Sequence, residues 1–153
     1  MFKKIVIPIL LLFLSSCGYE AVHSKKKIAN YNFFISELTT NGNRDVNIKI
    51  REKLINYSLN KQGKELILKI SSDAEKVVVA KDNAGDPTSF KYTVVIETEV
   101  MLEKKLVKSL KIMESFNYNN ISNRFDLKRY EREIINNLAE TATQKLIYKL
   151  SNI

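Results

Sequence analysis

The stretch from Phe90 to Leu102 limits the fold more than any other part of the chain. Tyr92, Val94, Ile96, Val100 and Leu102 share one parity, while Lys91, Thr93, Glu97, Glu99 and Glu103 share the other. Successive side chains of a strand point to opposite faces, so this period of two predicts a strand with one buried face and one wet face. Such one-sided strands belong to antiparallel sheets, and the apolar face must be covered by another layer. The rest of the chain therefore has to supply neighbouring strands and a covering layer.

Both are legible. Leu106, Leu110, Ile112, Phe116 and Tyr118 repeat the alternation after the short connection Glu103-Lys104-Lys105. On the other side, Leu66, Leu68 and Ile70 form an apolar series, and Val77 to Ala80 resumes it after Ser71-Ser72-Asp73. The run Asp82-Asn83-Ala84-Gly85-Asp86-Pro87 separates the two as a dense turn signal. These three segments are expected to form an antiparallel meander. An earlier strand is expected over Tyr31 to Thr39, rich in Phe33, Phe34, Ile35 and Leu38, and broken by Thr40-Asn41-Gly42-Asn43.

Two stretches change period. Val46, Ile50, Leu54 and Tyr57 recur at helical spacing between Arg44 and Tyr57, with Ile48 and Ile55 widening the stripe and Asn43 placed to cap it. From Leu127 onwards, Tyr130, Ile134, Leu138, Ala142, Leu146 and Leu150 step by three or four, flanked by Ile135, Ala139 and Ile147. That predicts a long helix after the polar break Asn117 to Asn123, capped by Asp126 and covering the face of Tyr92, Val94 and Ile96. The expected class is α+β. It is a two-layer sandwich of order β-α-β-β-β-α, with a four-stranded, mainly antiparallel sheet and both helices on one face. The other face is expected to carry Lys, Glu and Thr.

The N-terminus reads differently. Lys3 and Lys4 precede an apolar run from Ile5 to Leu14 that Pro8 alone interrupts. It would span about 15 Å as a helix, too short to cross a bilayer, and it matches a secretory signal. Leu14-Ser15-Ser16-Cys17 resembles the bacterial lipobox, in which small residues precede a cysteine that becomes the lipidated first residue of the mature chain. Several acyl chains, at about 0.8 kcal/mol per buried methylene, hold a protein to a membrane. Residues 1–16 are thus expected to be a lipoprotein signal peptide, 17–30 a lipidated tether and 31–153 a single domain. Gly18, in place of the aspartate that retains enteric lipoproteins in the inner membrane, points to the outer membrane.

Charge and composition narrow the function. Net charge is +8, and removing Lys3 and Lys4 with the leader lowers it to +6. Lysine supplies 20 of the 25 basic residues, and Asn (15) and Ile (17) are abundant. Planar recognition of phosphate or bases favours arginine, so this lysine-heavy profile is weak evidence for a specific nucleic-acid site and reads as a solvated basic surface. A single cysteine and a single histidine, His23, exclude a disulfide framework within the chain and a multi-thiolate zinc site. The Lys25-Lys26-Lys27 run beside His23 reads as a solvated spacer that can also meet anionic headgroups. No nucleophile elbow, glycine-rich phosphate loop or zincin motif is present. Glu97 and Glu99 share a strand face about 7 Å apart, superficially like glycosidase carboxylates. They read instead as a solvated face alongside lysines. The chain is therefore expected to act by binding rather than as an enzyme. No cofactor is expected beyond the covalent lipid at Cys17.

The Cys17-Gly18-Tyr19 start, the strand–helix–three-strand–helix order, the Phe90-Lys91-Tyr92 strand after a polar hairpin, and the ending Leu138 to Leu150 resemble the lipopolysaccharide-assembly lipoprotein family LptE. The likeness covers nearly all of the mature chain. It implies a non-enzymatic protein that plugs the large outer-membrane barrel LptD, assists its assembly and binds lipopolysaccharide on its way to the outer leaflet. By charge and placement, Lys81, Lys91, Arg124 and Lys128 are the candidate phosphate contacts. The alternative is a freestanding periplasm-facing lipoprotein that binds a lipid or a cell-wall polymer.

Overall fold

A computed structural model describes residues 32–59 and 61–153. The signal segment, Cys17, Gly18, His23 and the lysine run lie outside the described residues. The elements are β1 (Phe33–Gly42), α1 (Arg44–Leu54), a 3₁₀ turn (Ile55–Tyr57), β2 (Lys64–Lys81), β3 (Pro87–Leu102), β4 (Lys105–Asn119) and α2 (Arg124–Leu150). They form the expected α+β sandwich. Sheet order is β1-β2-β3-β4, with β1 parallel to β2 and the other pairs antiparallel.

Strand β1 does not stop at Thr39. It pairs with β2 through Gly42, opposite Ser72, and turns directly into α1. Gly42 has φ +97°, and a Cβ there would lie 1.9 Å from the Ser72 carbonyl oxygen, so only glycine fits. The Asn43 N–H donates to that carbonyl at 3.0 Å. Its side-chain oxygen accepts from the Asp45 and Val46 N–H groups, capping α1 as expected. The buried Ser72 hydroxyl donates to Asn47 Oδ1 at 2.9 Å. The start of the crossover is thereby pinned to β2, the parallel strand to which it leads.

Val46, Ile50 and Leu54 of α1 are fully buried, whereas Ile48 and Ile55 are exposed. Two residues so far round the helix from that stripe cannot reach the sheet. The α-helix ends at Leu54, and the 3₁₀ turn lays Tyr57 flat against Phe33, with ring centroids 5.5 Å apart.

The two apolar series flanking Ser71-Ser72-Asp73 form one 18-residue strand, β2. Its buried parity (Leu66, Leu68, Ile70, Ser72) meets Val94, Ile96, Thr98 and Val100 of β3 and Leu110 and Ile112 of β4 in a single core. Helix α1 lies over β1 and β2, α2 lies over β3 and β4, and the helices pack against each other. Side chains such as Leu66 and Leu146 each contribute about 1.5–3 kcal/mol by burial. Among the described residues, Thr98 Oγ1 is the one buried side-chain polar atom without a hydrogen-bond partner.

Strand β4 departs from strict alternation. Glu103 and Lys104 turn the β3–β4 hairpin with φ of 51° and 64°, a two-residue turn in the left-handed region without glycine. A register shift follows, since Val100 pairs with Lys108 but Met101 with Leu106. It puts Leu106 on the outer face, 59% exposed, against the expectation of burial. Phe116 keeps the inner parity yet is 46% exposed, because β4 is the sheet edge and α2 does not reach fully over it.

Helix α2 has 27 residues. Asn123, not Asp126, caps it, accepting from the N–H groups of Phe125 (2.9 Å) and Asp126 (3.3 Å). Asp126 instead sits in the first turn, where the helix dipole favours a carboxylate, and it pairs with Arg129. Among the described residues, no helix is long and apolar enough to cross a membrane.

Candidate functional site

The β2–β3 hairpin, the end of β4 and the start of α2 converge at one end of the sheet. Lys81 closes β2 opposite Pro87. Lys91 lies four residues further into β3, half-buried on the outer face, between Val77 of β2 and Asn117 of β4. The Asn120 N–H donates to the Thr88 carbonyl and its side-chain amide to the Pro87 carbonyl, both at 2.8 Å. Those bonds tie the connection into α2 to the base of the hairpin. Arg124 is the first residue of α2, Lys128 stands one turn later, and both are exposed.

The four residues therefore share one end of the molecule but not one surface. Lys91 belongs to the outer sheet face, Arg124 and Lys128 to the helix layer, and Lys81 to the hairpin between them. None of the four forms an ion pair among the described residues. The hairpin tip itself is acidic: Asp82 folds back to accept from the Ala84 and Asp86 N–H groups, and Asp86 stands beside it.

Beneath this end lies a cluster absent from the sequence-based expectation. Lys76 Nζ sits 2.5 Å from Glu131 Oε1 and 3.8 Å from the centroid of the Phe90 ring. The Tyr118 hydroxyl donates to the same Glu131 oxygen at 2.8 Å. Tyr118 stacks with Tyr92 and meets Tyr130 edge-on, with centroids 6.4 and 5.9 Å apart. Burial, then the hydrogen bond and charge of Glu131, push the Tyr118 phenol well above its ordinary value. Burial, then Glu131, raises Tyr92 as well. Two signals in the sequence mark this cluster. Lys76 has the buried parity of β2, and Glu131 lies within the apolar stripe, four residues from both Leu127 and Ile135.

The outer sheet face is mixed rather than uniformly polar. Across its middle, Thr39, Asn41, Lys69, Ser71, Glu97, Glu99, Ser109 and Lys111 line a shallow depression of about 540 Å³. Glu97 pairs with Lys111 at 2.7 Å, both exposed, and Glu99 stands between Lys69 and Ser109 in register. Towards the hairpin, however, Val77, Val79 and Met113 are exposed. On the other layer, Phe116, Tyr130, Ile134 and Leu138 line a groove of about 280 Å³ between β4 and α2.

No family model matches the chain, and no curated protein matches it by sequence. Solved structures do. Rare lipoprotein B from Shewanella oneidensis superposes with a TM-score of 0.60 at 13% identity, covering 76% of this chain and 94% of that one. A minor lipoprotein from Acinetobacter baumannii gives 0.60 at 9% identity, covering 80% and 92%. Uncharacterized lipoprotein B from Nitrosomonas europaea gives 0.60 at 13% identity, covering 83% and 90%. The chain thus has the fold of these bacterial lipoproteins over nearly their whole length.

Proposed function

We propose that the chain is a lipid-anchored outer-membrane lipoprotein that plugs and assists assembly of an LptD-type barrel and binds lipopolysaccharide during its insertion into the outer leaflet. The observation that carries the ligand half is the gathering of Lys81, Lys91, Arg124 and Lys128 at one end of the sheet, without carboxylate partners among the described residues. Cations without an ion-pair partner suit phosphate groups, where charge-assisted hydrogen bonds are strong. The plug half draws support from the mixed outer face, since the lumen of a large barrel is polar and has to be filled. The anchor half rests on Leu14-Ser15-Ser16-Cys17 and on the fold shared with lipoproteins.

The ligand reading is tested with the lipidated chain and lipopolysaccharide micelles. Lys81→Glu with Arg124→Glu is expected to weaken binding about tenfold or more at low salt, and the difference should shrink as salt screens the charges. Unchanged binding at low salt removes these residues as principal contacts. Binding of lipid with no barrel recovered from the membrane would favour a freestanding lipoprotein instead.

A further inference from the structure

Strand β1 leaves the sheet at Gly42, opposite Ser72. Beyond that point β2 runs on to Lys81, paired with β3 alone. Among the described residues, its other edge from Asp73 to Lys81 has no strand beside it. That is about 30 Å of open edge at roughly 3.3 Å per residue. Its centre is apolar: Val77, Val78 and Val79 are 40%, 45% and 53% exposed. An open edge offers a row of backbone donors and acceptors that only another strand can satisfy in full.

We infer that this edge pairs with the same edge of a second copy of the chain, antiparallel about Val78. Its side-chain order is self-complementary. Asp73 and Glu75 stand at one end of the valines and Lys81 at the other. Run antiparallel about Val78, each Glu75 faces the second copy's Lys81, each Val77 faces the second copy's Val79, and Val78 faces itself. Opposite charges and β-branched pairs directly across a ladder are stabilising, and like charges there are not. A parallel pairing in register would set Glu75 against Glu75 and Lys81 against Lys81.

The register agrees as well. Glu75 and Val77 pair with Thr93 and Lys91 of β3. The irregularities on either side of Ala80, one extra residue in each strand, offset one another, so Lys81 pairs with Pro87 in the register that Val78 and Phe90 set. Lys76 points to the other layer and is held by Glu131, so it does not compete. A two-fold axis through such an edge gives a closed dimer in which the Asp73–Lys81 edge of each copy is used up. The inference concerns the chain free of other partners and does not rest on the barrel reading.

The full chain in mild detergent provides the test. Directly opposed Cα atoms of an antiparallel pair lie about 4.5–5.5 Å apart, within disulfide reach. Under mild oxidation Val78→Cys should give a reducible band of twice the chain mass, while wild type and Ile48→Cys, an exposed position on α1, should not. In sedimentation equilibrium, Glu75→Lys should weaken self-association about tenfold, and Glu75→Lys with Lys81→Glu should restore it. A monomer at all concentrations, equal cross-linking of Val78→Cys and Ile48→Cys, or no rescue by the charge exchange overturns the inference.

Discussion

Lys76 of β2 and Glu131 of α2 form an ion pair at 2.5 Å that bridges the two layers over the Phe90 ring. Exposed pairs contribute about 0–1 kcal/mol. This one is partly shielded, and Glu131 also accepts the Tyr118 hydroxyl. Glu131→Ala removes a shared acceptor from two donors and is expected to cost about 1–3 kcal/mol in urea denaturation. Lys145→Ala, which breaks a more exposed pair with Glu114, is expected to cost less. Equal losses would show that the cluster is no stronger than an ordinary surface pair.

Tyr118 gives the cluster a pH signature. Its folded pKa lies above the ordinary 10.0, so the phenol keeps its proton in the folded state at pH values where the unfolded chain has lost it. The unfolded chain then binds fewer protons, and stability falls as pH rises beyond about 10. The contribution is fully present below that pH. Urea midpoints measured from pH 8 to 11 should fall less steeply for Tyr118→Phe than for wild type. Parallel slopes would mean that the phenol titrates normally.

The face assignment of β4 separates two leucines with similar sequence surroundings. Leu110→Ala is expected to cost about 2–5 kcal/mol, because that side chain lies in the core. Leu106→Ala is expected to stay within about 0.5 kcal/mol. Comparable losses from the two would contradict the register shift after Val100.

That contrast marks where the sequence stops being legible. Period-two and helical patterns depend on local geometry, and they located all four strands, both helices and the shared core of Val94, Ile96, Leu146 and Leu150. Events that need a second strand were invisible. The register shift that turns Leu106 outward is set by the β3–β4 pairing. The continuation of β1 to Gly42 is set by a parallel partner, against the local turn signal of Asn41-Gly42. Asn123 and Asp126 are both good caps, and only the path from Asn120 to Thr88 decides between them. At the site, charge and placement beside turns and element starts selected Lys81, Lys91, Arg124 and Lys128. Their shared end follows from topology, whereas their separation onto two layers does not follow from spacing. The Lys76–Glu131–Tyr118 cluster joins residues from three elements, which no single-segment pattern can relate.

Gly42→Ala is expected to destabilise the domain by several kcal/mol, on the scale of backbone strain combined with a steric clash against the Ser72 carbonyl. Gly85→Ala carries a positive φ but meets nothing within 4 Å, so its loss should be smaller. Thermal midpoints of the two variants check this order, and a milder effect at Gly42 would mean that the β1–α1 turn can relax.

Cys17→Ala is expected to abolish acylation and to leave an unprocessed or soluble form. Intact-mass measurement reads this directly, and recovery of the wild-type mature mass from the variant would show that Cys17 carries no lipid.

The plug reading is tested most directly by a photo-crosslinker placed at Lys69, on the outer face of β2, in cells that carry the complete outer membrane. The expected result is one dominant adduct whose second component is a very large β-barrel, lost when the crosslinker is moved to buried Leu68. Adducts to lipid alone, or none to any barrel while the barrel is present in the same membrane, would contradict it.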